Sequence, residues 1–216
     1  MPPPFERDLR QRVIAAPSLG LCLDFANTRF WRGTEAPTES LVDYDGLVRW
    51  LAQASVVGPE TVLSLGRLRD VDLGAAQRLF ADALQAREML YRLFSALVTG
   101  STLGVEVRQL NALLAASPPR KELVLGGGNS GWRVPMITPS SGELLAPILW
   151  SAADLSLAVD RVRLRICDNG KCRWLFLDES KGGTRRWCSM SSCGNRAKAH
   201  RHFLRKTKRV EGPSES

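Results

Sequence analysis

Four of the five cysteines in this 216-residue chain fall into two matched pairs. Cys167-Asp168-Asn169-Gly170-Lys171-Cys172 is followed, after fifteen residues, by Cys188-Ser189-Met190-Ser191-Ser192-Cys193. Zinc takes four soft ligands at about 2.3 Å in tetrahedral array, and two thiolate pairs on tight turns supply them. Asp168-Asn169-Gly170 offers one turn, since Asn and Gly tolerate left-handed backbone. Ser191-Ser192 offers the other, as a helix start. The spacing is C-x4-C rather than the commoner C-x2-C, so the signal rests on symmetry. An iron–sulfur cluster takes the same four thiolates, and spacing alone does not separate the two. Four small core residues are the bland alternative. Cys22, isolated in an apolar stretch, reads as core.

The metal reading depends on reduced thiols. The first residues, Met1-Pro2-Pro3-Pro4-Phe5-Glu6-Arg7-Asp8, lack the apolar centre of a secretory signal. No apolar run approaches the roughly 20 residues of a membrane span. A cytoplasmic chain with no membrane partner is therefore expected, and there clustered cysteines point to metal rather than disulfides.

Between the pairs, Arg173-Trp174-Leu175-Phe176-Leu177-Asp178 alternates as a strand. Ser180 to Thr184 turns the chain, and Arg185-Arg186-Trp187 is expected to return it as the second hairpin strand. Gly194 to Lys206 then reads as a helix. Turn, hairpin and helix with ligands at both ends is the plan of a treble-clef-like finger, too small to hold together without its metal.

At 100° per residue, Cys193, Ala197, His200 and Leu204 share an arc of about 60°, facing the metal. Lys198, Arg201, Arg205 and Lys208 share an adjacent arc of about 80°. Such a face suits phosphates or a major groove. His200 could replace a cysteine ligand, but four Cys already satisfy zinc, so it reads as a packed residue or a donor to a thiolate. His202 reads as exposed. The charge agrees with a polyanion partner: residues 1–160 hold 15 Lys/Arg and 17 Asp/Glu, while residues 161–209 hold 15 Lys/Arg against Asp168, Asp178 and Glu179. Arg185, Arg186 and Arg196 join the candidate nucleic-acid contacts. Arg185 and Arg186 would serve equally to neutralise the net −2 charge of a zinc tetrathiolate.

Upstream, residues 5–118 read mostly as helix. Apolar residues at 41, 44, 47, 48 and 51 mark one helix over Ser40–Leu51. Ala75–Thr99 forms the longest pattern, stopped by Gly100, and Val105–Ala115 forms a third. Glu122–Leu125 and Trp132–Ile137, around a glycine-rich turn, read as a hairpin. A last helix is expected over 146–165. The fold class is thus α+β: a mainly helical domain over 1–160 with a small antiparallel sheet, the finger over 161–209, and a disordered tail over 210–216.

Trp187-Cys188-Ser189-Met190 followed by Cys193-Gly194-Asn195-Arg196 and Lys198 resembles the CGNR zinc-finger family of bacterial proteins, named for that tetrapeptide. Cys167, Cys172 and the 174–178 stretch match it too. Leu21-Cys22-Leu23-Asp24-Phe25-Ala26-Asn27-Thr28 and the Tyr44–Leu51 helix are similar to the ABATE domain that usually precedes this finger. The resemblance implies zinc on Cys167, Cys172, Cys188 and Cys193, and a stress-induced transcription regulator.

The expected function is a DNA-binding regulator whose N-terminal domain senses a small molecule or forms a homodimer. Asp24, Asn27, Thr28 and Arg32 are candidate pocket residues; helix capping and ion pairing are their plainer roles. RNA or ribosome association is the alternative, with Trp174 or Trp187 stacking on bases; a protein-docking zinc module is another. An enzyme is not expected. Both histidines lie after residue 199, so a Ser-His or Cys-His pair is missing from the N-terminal domain. GxxxxGK[ST], HExxH and GxSxG do not occur.

Overall fold

The computed structural model describes residues 11–126, 130–135 and 140–199. Its centre is three helices that bury one another. α1 (Leu21–Ala26) is short and nearly surrounded, with Leu21, Cys22, Leu23, Phe25 and Ala26 buried. α4 (Leu73–Thr99) runs beside it, and its buried Leu79, Ala83, Ala86, Leu90 and Leu93 recur at the spacing of a single face. α6 (Ser141–Ala158) completes the trio. It is apolar on most sides, as a central helix must be, and it carries Pro147 in its interior.

Local signals set the ends. The Asp72 side chain accepts from the Ala75 amide at 2.8 Å and caps α4. Gly100 takes φ 70°, the left-handed stop that a side chain would resist. α2 (Tyr44–Gln53) starts later than the apolar spacing suggests, because Asp43 accepts from Gly46 N at 2.6 Å and fixes the first turn there. α3 (Pro59–Val71) and α5 (Gly104–Ala115) pack on the outside of α4. The Tyr44 hydroxyl donates to Leu65 O at 3.0 Å and ties α2 to α3.

The small sheet is richer than a hairpin. β4 (Glu122–Val124) and β5 (Gly131–Pro135) pair antiparallel as expected. β1 (Gln11–Ile14) joins the other side of β5, with Ile14 opposite Trp132. This strand lies in a region that periodicity assigns to helix; four residues are too few for alternation to declare itself. Ile14, Val134, Ala146 and Trp150 form the core between this sheet and α6. β2 (Arg29–Phe30) and β3 (Thr38–Glu39) make a second small pair.

The last helix begins five residues earlier than expected and stops at Ala158, not Arg165. Arg163-Leu164-Arg165-Ile166 alternates with period two, and β6 (Leu164–Ile166) forms there instead. The architecture is α+β: a helical body with small antiparallel sheets and a cysteine cluster at its C-terminal end. Among the described residues, no helix is long and apolar enough to cross a membrane. The 210–216 tail, His200, His202 and Leu204 lie outside the described residues.

Candidate metal centre

β7 (Leu175–Leu177) is the strand expected after the first cysteine pair, but its partner is different. It pairs antiparallel with β6, Leu164 opposite Leu177, rather than with residues 185–187. The first cysteine pair therefore sits in the turn of the hairpin itself. Cys167 N donates to Trp174 O at 2.8 Å and continues the ladder into that turn. Asn169 shapes the rest: its carbonyl accepts from Cys172 N at 2.8 Å and Arg173 N at 3.2 Å, and its side-chain oxygen accepts from Lys171 N at 3.1 Å. The residue in left-handed backbone is Arg173, at φ 56°, not Gly170.

Residues 178–187 form a loop instead of a return strand, built around one buried carboxylate. Asp178 accepts from the Ser180 hydroxyl at 2.6 Å, Ser180 N at 3.1 Å, Arg185 N at 3.0 Å and Arg165 Nε at 3.0 Å. The Ser180 hydroxyl, with these other donors, holds its pKa down to about 2. Arg185 carries the order onward. Its Nε donates to Trp187 O at 2.9 Å, its Nη2 donates to Cys188 O, and its guanidinium lies over the Phe176 ring. Asp168 N donates to Arg186 O at 2.9 Å and links the two halves. A π-helical turn, Met190–Gly194, then presents Cys193, with Ser189 as its cap. Helix continues over 195–199.

These elements bring all four cysteines together. Their sulfurs lie within 4.8 Å of one another. Cys172 and Cys188 are 3.7 Å apart, and Cys188 and Cys193 3.9 Å. Sulfurs at about 2.3 Å from a tetrahedral zinc stand about 3.8 Å apart, so the donor set fits the ion. The hydrogen bond from Cys172 holds the Cys167 thiol down to about 5. The same bond, and then burial, pushes Cys172 up. Burial, followed by the charge on Cys167, raises Cys188 to about 12. Four thiolates this close need a dication to ionise together. Asn169 Nδ2 donates to Cys193 Sγ at 3.5 Å, joining the first turn to the second pair. Phe176, Trp174, Trp187 and Trp31 pack around the sulfurs.

The remaining site candidates are dispersed. Arg186 is exposed and pairs with Asp168 at 2.6 Å. Arg196 and Lys198 are exposed, Arg196 lying 4.5 Å over the Trp31 ring. Arg201, Arg205 and Lys208 lie outside the described residues. In the N-terminal domain Asp24 is exposed. Asn27 is buried and makes two bonds to one residue, donating to Leu175 O at 2.8 Å and accepting from Leu175 N at 3.1 Å. Thr28 donates to Phe25 O at 2.8 Å. Arg32 grips Glu88 at 2.7 Å and lies 3.8 Å over Tyr91. None of these four lines the groove of about 1040 Å³ between α4, α5 and the start of α6. Sequence reading placed Asn169 in the first cysteine turn but missed Asp178 as an organiser and Trp31 as part of the cluster's cover. The Asp178-x-Ser180 turn signal was visible; Trp31, 136 residues before the first ligand, carried none.

Two family profiles match the chain. One, described as ABATE, putative stress-induced transcription regulator, matches residues 19–158. The other, described as CGNR zinc finger, matches residues 163–206. No curated protein matches. With the clustered sulfurs, the finger profile assigns zinc to the four-cysteine site.

Proposed function

The chain belongs to the ABATE family and ends in a CGNR zinc finger, and on that premise we propose that it is a transcription regulator that binds duplex DNA through the finger. The observation that carries this reading is the concentration of charge: 15 Lys/Arg against three acids over residues 161–209. Arg185 is half-buried and builds the loop, whereas Arg186, Arg196 and Lys198 are exposed, so the DNA contacts fall to these and the basic residues beyond. A cationic segment of this kind releases counterions from a nucleic-acid backbone and steers association.

DNA is favoured over single-stranded RNA by the tryptophans. Trp174 stacks on Phe30 at 5.6 Å, and both it and Trp187 pack against the cysteines, which withholds their faces from bases. The N-terminal domain is the regulatory half. The groove lined by Arg29, Gln85, Met89, Arg92, Gln109 and Leu113 offers a small molecule both apolar walls and polar anchors. Zinc closed by four thiolates serves structure rather than catalysis, so no reaction is assigned to it. The proposed compartment is the cytoplasm.

The test is salt-titrated binding to random duplex DNA, with metal content measured on the same sample. Replacing Lys198, Arg201, Arg205 and Lys208 with Gln should lower the slope of log affinity against log salt by about 3 to 4 while zinc stays at one per chain. An unchanged slope would sink the basic-helix reading; equal competition by structured RNA would move the function to the RNA alternative.

A further inference from the structure

The zinc cluster takes part of its wall from the N-terminal domain. Trp31 follows β2 in left-handed backbone, φ 55°, a region that bulky residues rarely adopt. The amide and the hydroxyl of Thr34 donate to Trp31 O at 3.0 and 2.8 Å and hold that turn. The conformation places the Trp31 ring against the cysteines. Two residues on, Gly33 N donates to Lys171 O at 3.2 Å, inside the first cysteine turn. A Cβ on Gly33 would lie 1.7 Å from Gly170 O, so no side chain fits there without displacing that turn. Phe30 stacks on Trp174, and the Tyr91 hydroxyl donates to the carbonyl of Arg173, the left-handed residue after Cys172. Finally, the Arg196 guanidinium, three residues after the last ligand, lies 4.5 Å over the Trp31 ring.

We infer that the loop Phe30–Gly33 is a positioning element of the zinc site. It braces the first cysteine turn from outside and sets the start of the basic helix through Arg196. The inference stands on zinc occupancy alone and not on DNA binding. It also gives the N-terminal domain a route to the finger. Arg32, between Trp31 and Gly33, grips Glu88, and Glu88 shares Arg87 with Glu39; Glu39, Arg87 and Glu88 all line the groove.

Ordinary packing between two domains would lower thermal stability without changing how the metal is held. Zinc release from the full-length loaded protein to a chromogenic chelator separates the two. Gly33→Ala and Trp31→Ala should release zinc about 10-fold faster or more, with Trp31→Phe partly restoring the rate and helical circular dichroism retained. Tyr91→Phe removes a single hydroxyl and should accelerate release to a lesser degree. Chelation of the unaltered protein should in turn raise amide exchange at residues 27–33 and around Tyr91, leaving α5 unchanged. Wild-type release rates in Gly33→Ala and Tyr91→Phe, or unaltered exchange at 27–33 after chelation, would overturn the inference. Should Trp31→Ala fail to fold, the other two variants decide it by the same readout.

Discussion

The helical body and the cysteine finger are built on opposite principles. The body encloses large side chains such as Phe25, Leu47, Leu90, Phe94, Ile148 and Leu149, and its order follows from removing apolar area from water. The finger buries little: among its described residues, Phe176, Leu175 and three cysteines are the buried apolar ones. Its order comes instead from directed bonds, at the metal, at Asp178 and at Asn169. One region therefore tolerates many apolar substitutions of similar volume, while the other depends on single atoms in single places.

The largest test of that contrast removes the metal. Cys167→Ser with Cys188→Ser should abolish zinc binding, which contributes about 10–16 kcal/mol in structural zinc modules. The helical circular dichroism of α2 to α5 should survive; its collapse would show that the body leans on the finger. Next in size, Phe94→Ala should destabilise the body by about 3–5 kcal/mol in denaturant titration. Elemental analysis should still find one zinc per folded chain. A smaller effect is expected of Asp178→Asn, which weakens the frame of the second cysteine pair. Zinc affinity should fall about 10- to 100-fold in competition with a chelator, while unfolding of the body moves little. The mildest is Gly100→Ala, which forces a Cβ into left-handed backbone at the end of α4. It should cost about 1–2 kcal/mol of body stability and leave zinc affinity untouched.

The same contrast explains what the sequence disclosed. Long helices announce themselves by periodicity, so α4, α5 and the core face of α2 were legible, and Gly100 was readable as a stop. The four ligands were legible because two matched pairs of thiols in one short segment suit a tetrahedral metal. Short strands were not. β1 and β6 span four and three residues, and nothing in the Leu164–Ile166 stretch says that it, rather than residues 185–187, pairs with β7. That choice is made by tertiary contacts: β6 and β7 both pack on α4, so Leu164, Ile166 and Leu177 reach the core of the body. Asn27 looked like a pocket residue because it is polar in an apolar run. Its partner is a backbone 148 residues away, which no local pattern encodes.

Leu175 lies within the span matched by the finger profile, yet it is 1% exposed and belongs to the core that also holds Leu90 and Leu149. Where the sequence divides and where the solid divides are different surfaces. A recombination event that cut the gene near residue 160 would leave a leucine-sized hole in one product and an uncovered strand on the other. Asn27 would lose the backbone it grips, and Gly33 the carbonyl it makes room for. In this chain the finger is not a free cassette, because its strand and first turn are packed into the body. The two halves are expected to be inherited together, with Trp31 and Gly33 changing only in step with the turn that they touch and Asn27 with the strand that it grips.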